Sequence, residues 1–292
     1  MRDTLLMIAA LAASMALALL FPGIGSAGED IATVRNISTL LFGILAGFFI
    51  SFLLNRFAAI RSLLTRESTM LMELYKLSQA FGPEFAARTA ERIDRYLIVR
   101  FDEENYFNFT SRGRDALFSI FEELITVDIG NNQNLTTMHR HFVTTLREAI
   151  SLRRETIVTG TITVTIVQWA SLLMLAMILI ATLFAMKSDT LFSSILTGML
   201  TFAILLILYM VKSMSDLKLG GDFLKFETIE RVFEFIGKPR YYPVSYVRLD
   251  LLPKHLTEIR LGIGRDRQYS TEIIAVSLDE ALARAQEARA AS

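Results

Sequence analysis

The sequence predicts an all-α membrane protein, with four transmembrane helices and a cytoplasmic helical bundle. Three observations predict it. Hydrophobic residues make up 52% of the 292 and charged residues only 21%, whereas soluble domains hold about 45–50% apolar and about a quarter charged residues. The apolar excess, a mean hydropathy of +0.42, is gathered into four blocks and leaves the remainder of ordinary soluble composition. Lys and Arg gather at one set of block ends.

The first block, Thr4 to Ile24, carries no charge. Arg2 before it and Gly25-Ser26-Ala27-Gly28 after it also fit a cleavable leader. The run is longer than a leader's apolar region of about 7–15 residues, and Asp3 weakens the basic start, so a retained span is the reading adopted. The second block, Ile37 to Leu54, is near the lower limit of the roughly 20 residues a bilayer core requires. The third, Ile157 to Met186, exceeds that limit and is expected to begin as helix before the membrane. The fourth is Leu191 to Val211, and the short Lys187-Ser188-Asp189-Thr190 link predicts a tight hairpin.

Orientation follows from the basic flanks. Arg56, Arg61 and Arg66 follow the second block, Arg147, Arg153 and Arg154 precede the third, and Lys212, Lys218 and Lys225 follow the fourth. The other side offers little beyond Arg35 and Lys187. Both termini are therefore expected in the cytoplasm. Cleavage of the first block would leave three spans and a new N-terminus outside.

Four regions follow: residues 1–55 with the first two spans, a cytoplasmic insert at 56–156, the hairpin at 157–213, and a cytoplasmic end at 214–292. In the insert, Ile60, Leu64, Leu71, Leu74 and Phe81 mark one helix face, ended by Gly82-Pro83. Glu84 to Arg100 starts another helix; Leu117, Ile120, Phe121 and Leu124 mark a third. Leu135, Met138, Phe142, Leu146 and Ile150 mark a fourth that is expected to run into the third span, after a loop at Gly130 to Asn134. Phe226 to Ile236 predicts a short helix, Lys238 to Pro253 an extended arm, and Ser277 to Ala291 a terminal helix.

Absences narrow the function. The net charge is zero, so no global field favours nucleic acid. Without Cys, and with three His, thiolate and histidine-rich metal chemistry are not expected. None of the four apolar cores holds an ionisable residue, which argues against proton-coupled transport. No glycine loop leads into Lys-Ser or Lys-Thr, and Gly262-Ile263-Gly264 lacks the context of a dinucleotide fingerprint. The chain is read as no enzyme, with no cofactor and no metal. The acidic run Asp102-Glu103-Glu104 lacks the spacing of a calcium loop and reads as a solvated turn.

Leu40-Leu41-Phe42-Gly43-Ile44-Leu45-Ala46-Gly47-Phe48 followed by Asn55-Arg56-Phe57 resembles the bacterial bestrophin-like family of unknown function. Glu73-Leu74-Tyr75 before Gly82-Pro83 agrees. So does the exit Ser215-Asp216-Leu217-Lys218-Leu219-Gly220-Gly221-Asp222-Phe223, where Lys218 and Leu219 replace the usual proline and phenylalanine. The resemblance covers about residues 35 to 240. It implies a homo-oligomer, a pentamer in bestrophins proper, around a pore for small anions such as chloride. The second span departs from bestrophins in lacking their asparagine-proline neck.

On the second span, Gly43, Gly47 and Ser51 form a stripe of small residues that lets another helix approach. Phe42, Phe49 and Phe52 recur at steps of seven and three. In an oligomer they would form a pore constriction that gates by dewetting, and Phe49→Ala would then raise flux; otherwise they face lipid or pack between helices. Arg56, Arg61, Arg66, Arg153 and Arg154 either attract anions to a cytoplasmic mouth or bind anionic headgroups. Two functions fit: a passive anion channel, or a non-conducting scaffold or sensor. In the second, the cytoplasmic bundle and the arm with Tyr241, Tyr242 and Tyr246 would bind a partner.

Overall fold

The computed structural model describes residues 2–20, 29–102, 111–125, 127, 130, 132–216, 230–244, 258–263, 270, 272–277, 280–281 and 283–284, with side chains placed outside 2–8 and 111–114. Its elements are α1 (Arg2–Leu20), α2 (Glu29–Ser78), a 3-10 turn (Gln79–Phe81), α3 (Pro83–Asp102), α4 (Ser111–Ile125), α5 (Gln133–Thr161), α6 (Ile166–Ala185), α7 (Leu191–Ser215), β1 (Tyr241–Pro243), β2 (Glu258–Ile263) and β3 (Glu272–Ser277). The chain divides into two units, Met1–Ala58 with Ile162–Gly221 and Ala59–Thr161 with Asp222–Ser292. Among the described residues, Glu29–Phe81, Gln133–Ala185 and Leu191–Ser215 are long and apolar enough to cross a membrane, and Ala9–Leu20 is a shorter apolar helix.

The first unit is apolar inside and out. Phe42, Ala46, Phe49 and Leu53 of α2 pack with Leu172, Ala176 and Leu179 of α6 and with Ile204 and Val211 of α7. Leu40, Ile44, Phe48, Met177 and Phe192 are exposed. Such an exterior is costly in water and neutral in hydrocarbon. The link between α6 and α7 is the tight turn expected: Thr190 caps α7 by accepting from the Ser193 amide at 3.2 Å.

Helix α1 lies along α7. The approach is close at Gly198, where a Cβ would stand 2.6 Å from Met15 Sδ and 3.2 Å from its Cα. Only glycine leaves that room. One turn further on, at the C-terminal end of α1, Lys187 buries its side chain and donates through Nζ to the carbonyl of Ala18. A cation on the last carbonyls of a helix satisfies an acceptor and opposes the dipole. Residues 21–24 of the first apolar block and Gly25-Ser26-Ala27-Gly28 lie outside the described residues.

The third span does not continue from α5. The chain leaves helix at Ile162 to Thr165. The β-branched run Thr161-Ile162-Thr163-Val164-Thr165, after Gly160, is a poor helix interior. Thr165 then begins α6 with a capping box: Gln168 N donates to its hydroxyl and its own amide donates to Gln168 Oε1 at 2.8 Å. Gln168, the most polar side chain of that block, thus completes the cap of α6, whereas the Thr161 hydroxyl donates to the Val158 carbonyl one turn back.

In the second unit most of the periodic faces are buried. Ile60, Leu64, Leu71 and Leu74 of α2, Ile93, Leu97 and Phe101 of α3, Leu117, Ile120 and Leu124 of α4, and Phe142 and Leu146 of α5 form its interior. Leu135 and Ile150 are half-buried and Met138 is exposed, so the face expected on the fourth insert helix is covered only around Phe142 and Leu146. Phe81, Phe85 and Phe142 meet edge to face, with centroids 5.3–6.2 Å apart. Pro83 opens α3 at the position that tolerates its missing N–H.

The C-terminal part corrects the all-α expectation. In place of a lone extended arm, β1 pairs parallel with β2, and β2 antiparallel with β3. Tyr241 lies opposite Arg260, and Leu261 opposite Ile274. Residues 230–235 are helical, while 226–229, Tyr246 and most of the expected terminal helix lie outside the described residues. Gly262 belongs to packing, since a Cβ there would fall 2.0 Å from Tyr241 Oη and 2.4 Å from Ser270 Oγ.

Charged ties hold this sheet to α3. Arg260 donates to both oxygens of Asp94, through Nη1 at 2.7 Å, and Tyr241 Oη donates to Asp102 at 2.6 Å. Arg240 pairs with Glu230 at 2.7 Å and with Glu234, and Tyr242 Oη donates to Glu230 at 2.6 Å. Burial lowers the proton affinity of Arg240, but the hydrogen bond it donates to Glu234 and the charge of Glu230 outweigh it and raise the pKa. Burial, then neighbouring carboxylates, push the Tyr96, Tyr241 and Tyr242 hydroxyls well above their ordinary value of 10.0.

A pH dependence follows. The unfolded chain releases these phenolic protons near 10.0, and the folded chain holds them. The linked stability is complete below that pH and is lost as pH rises above it. Guanidinium midpoints taken from about pH 8 to pH 11 should fall in the upper part of the range. The fall should be shallower in Tyr242→Phe; an equal slope in that variant would count against the hydroxyl.

Candidate functional site

The candidate site is the stretch of α2 within the first unit. Its seven-residue steps return Phe42 and Phe49 to the same side, where both are buried, at 4% and 2% exposure, against α6 and α7. Phe52 lies off that side at 37% exposure, and Phe48 is more exposed still while packing edge to face on Phe49. The three candidate constriction residues thus do not share one surface of the chain. Truncating Phe49 would open a hole in the unit's own core before it widened anything outside.

The small residues are on the open side. Ser51 is exposed, and a Cβ built at Gly43 or Gly47 meets nothing within 4 Å. Among the described residues, no other helix fills the room directly above either glycine.

The basic residues separate into two kinds. Arg61 and Arg154 are exposed, and Arg66 is half exposed beside Glu148 at 3.4 Å. Arg56 is buried in the first unit, where Nη1 donates to the Ser215 carbonyl at 3.0 Å, close to the end of α7. That bond satisfies one of the orphan carbonyls of the helix end. Arg153 is buried in the second unit. Neither Arg56 nor Arg153 presents its charge to solvent as an anion-attracting surface would.

Arg153 instead belongs to a group that the hydropathy pattern hid. Glu67 and Arg100, each 1% exposed, form an ion pair, and Tyr96 donates its hydroxyl to the same Glu67 oxygen. Arg153 is near enough for its charge to act on Tyr96. The signal was present: Glu67 sits between Leu64 and Leu71 on the buried face of α2, and Arg100 between Leu97 and Phe101 on α3. A charge on an apolar face is buried only when paired.

The acidic run is not the solvated turn expected at its first residue: Asp102 is the last residue of α3 and is buried, because its oxygens find partners in the C-terminal sheet region. Asp102 Oδ1 accepts from Tyr241 and Ser270, and Oδ2 from the Ser270 amide at 2.8 Å. Both oxygens are thereby committed to the sheet. Glu103 and Glu104 lie outside the described residues.

The Bestrophin-like domain matches residues 4–217. The chain belongs to the bestrophin-like family. The match reaches further toward the N-terminus than the resemblance from residue 35, and takes in α1 along with α2, α6 and α7. No curated protein and no solved structure matches the chain. Apolar helices and family membership together make this bestrophin-like chain a membrane protein. Of the family-like exit sequence, Ser215 and Asp216 are described, and 217–223 lie outside the described residues.

Proposed function

We propose that the chain is a four-span protein of the bacterial inner membrane that assembles as a homo-oligomer and passes small anions passively, without enzymatic activity. The first unit is the membrane part, and the second is cytoplasmic, as are both termini. The observation that carries the reading is the uncovered side of α2, where Gly47 and Ser51 leave room beside the exposed Phe48 and Phe52. A second copy approaching there would place aromatic edges around a narrow hydrophobic passage. Family membership supports it. Retention of α1 as the first span is supported by its fit against Gly198 and its cap from Lys187.

Of the candidate constriction residues Phe42, Phe49 and Phe52, the last has surface to offer a pore. Purified protein in liposomes should release trapped chloride, and Phe52→Ala should raise the rate severalfold by widening the constriction. Gly47→Leu should lower the oligomer mass in detergent, because the added side chain fills the groove. Absence of efflux from an intact oligomer would favour the scaffold. Its aromatic arm is a weaker support than the sequence suggests, because Tyr241 and Tyr242 are 0% and 1% exposed and already bonded within the chain.

A further inference from the structure

The first unit contains a cleft of about 640 Å³ between α2, α6 and α7. Leu179 and Leu183 of α6 and Leu200, Ile204 and Ile207 of α7 give it apolar walls. Gly43 lines it from α2, and the space above that glycine is open. Volumes of about 300–1,000 Å³ are those of sites that take small molecules.

The cleft is not apolar throughout. Arg35, Asn36 and Thr39 line it one to two turns before Gly43. The Arg35 guanidinium donates to its neighbour's amide oxygen, Asn36 Oδ1, at 3.2 and 3.4 Å. Among the described residues no carboxylate pairs with it. The Thr39 hydroxyl donates back to the Arg35 carbonyl at 2.7 Å, which keeps that turn of α2 closed. A cation with donors to spare thus borders an otherwise apolar hollow.

A guanidinium presents a planar fork that matches phosphate oxygens, and does so best where water is scarce. The hollow beside it suits a hydrocarbon chain. An acyl chain moving there from a bilayer gains no transfer energy, since both surroundings are apolar. Selection must therefore come from the headgroup. We propose that this cleft holds one acyl chain of an anionic phospholipid whose phosphate is bound by Arg35 and the Asn36 amide. The proposal rests on the first unit lying in a bilayer and does not depend on conduction.

The test uses full-length delipidated protein in detergent and native mass spectrometry. Phosphatidylglycerol and phosphatidylcholine with the same chains are the probes, with inorganic phosphate as competitor. The parent should retain phosphatidylglycerol about tenfold better than phosphatidylcholine. Both offer a phosphate to Arg35, but the choline cation repels the guanidinium and offsets the headgroup charge. Millimolar phosphate should displace little of it. Arg35→Gln should bring the two lipids level while leaving the oligomer mass unchanged, and Arg35→Lys should keep part of the preference. Gly43→Leu should reduce retention of both lipids, again at unchanged mass.

Equal retention of the two lipids by the parent, or an undiminished preference in Arg35→Gln, would overturn the proposal. Full displacement by phosphate would assign the contact to a free anion and overturn it too. Loss of the oligomer in Gly43→Leu would assign the cleft to a second copy of the chain. Recovery of the protein from the soluble fraction would be a separate failure, that of the membrane assignment itself.

Discussion

Replacing Glu67 with alanine is expected to destabilise the second unit by about 3–5 kcal/mol, the cost of breaking a buried ion pair from one side. Glu67 accepts from both Arg100 and Tyr96, and Arg100 is 1% exposed. Removing the carboxylate leaves the Arg100 charge where water cannot reach it, with the Arg153 charge close enough to act on the same tyrosine. The control is Glu84→Ala. Glu84 pairs with Arg88 one turn away on the surface, its side chain 88% exposed, and pairs of that kind contribute about 0–1 kcal/mol. Chemical denaturation of both variants in detergent, followed by limited proteolysis of residues 59–161, would measure the difference. Equal midpoints would mean that the buried pair contributes no more than the surface one.

Gly198→Leu should detach α1 from α7, at a cost of about 1–3 kcal/mol or more, the usual range for overpacking a close contact. The clash is with the Met15 backbone as well as its sulfur, so a rotamer change does not relieve it. Gly198→Ala should cost less, because a single Cβ can be met by a shift of Met15 Sδ together with a small separation at its Cα. The expected signature is a lower Tm in detergent and faster proteolysis within α1, with the second unit unaffected. An unchanged Tm for the leucine variant would show that α1 does not depend on this contact. Intact mass of the parent bears on the same helix, since a polypeptide lacking α1 would leave Gly198 facing an empty groove.

Much of the fold can be read from the sequence because it follows from hydropathy period. The apolar faces at Leu64, Leu71 and Leu74 and at Phe142 and Leu146 are buried as their spacing requires. The Lys187 to Thr190 turn joins two helices as its length requires. Other features depend on partners far along the chain. The sheet is not legible in the sequence because β1 has three residues and Tyr241 pairs across nineteen positions with Arg260, so no local alternation announces it. The break before α6 was legible in the threonines, but reading it needed the cap with Gln168 rather than their hydropathy. Phe42, Phe49 and Phe52 share a spacing, yet an adjoining pair of helices covers two of them and leaves the third. Spacing gives the face of a helix; it does not say which neighbour that face will meet.

The ties between α3 and the C-terminal sheet have a consequence for biosynthesis. Asp94 waits for Arg260, 166 residues later, and Asp102 waits for Ser270, 168 residues later. Both α6 and α7 are made between them. A nascent chain therefore cannot finish its second unit until the ribosome has delivered the hairpin and almost the whole polypeptide. Until then, two aspartates of α3 stand without the arginine and serine that complete them, so a chain truncated before residue 258 should carry an open seam that cellular proteases can recognise.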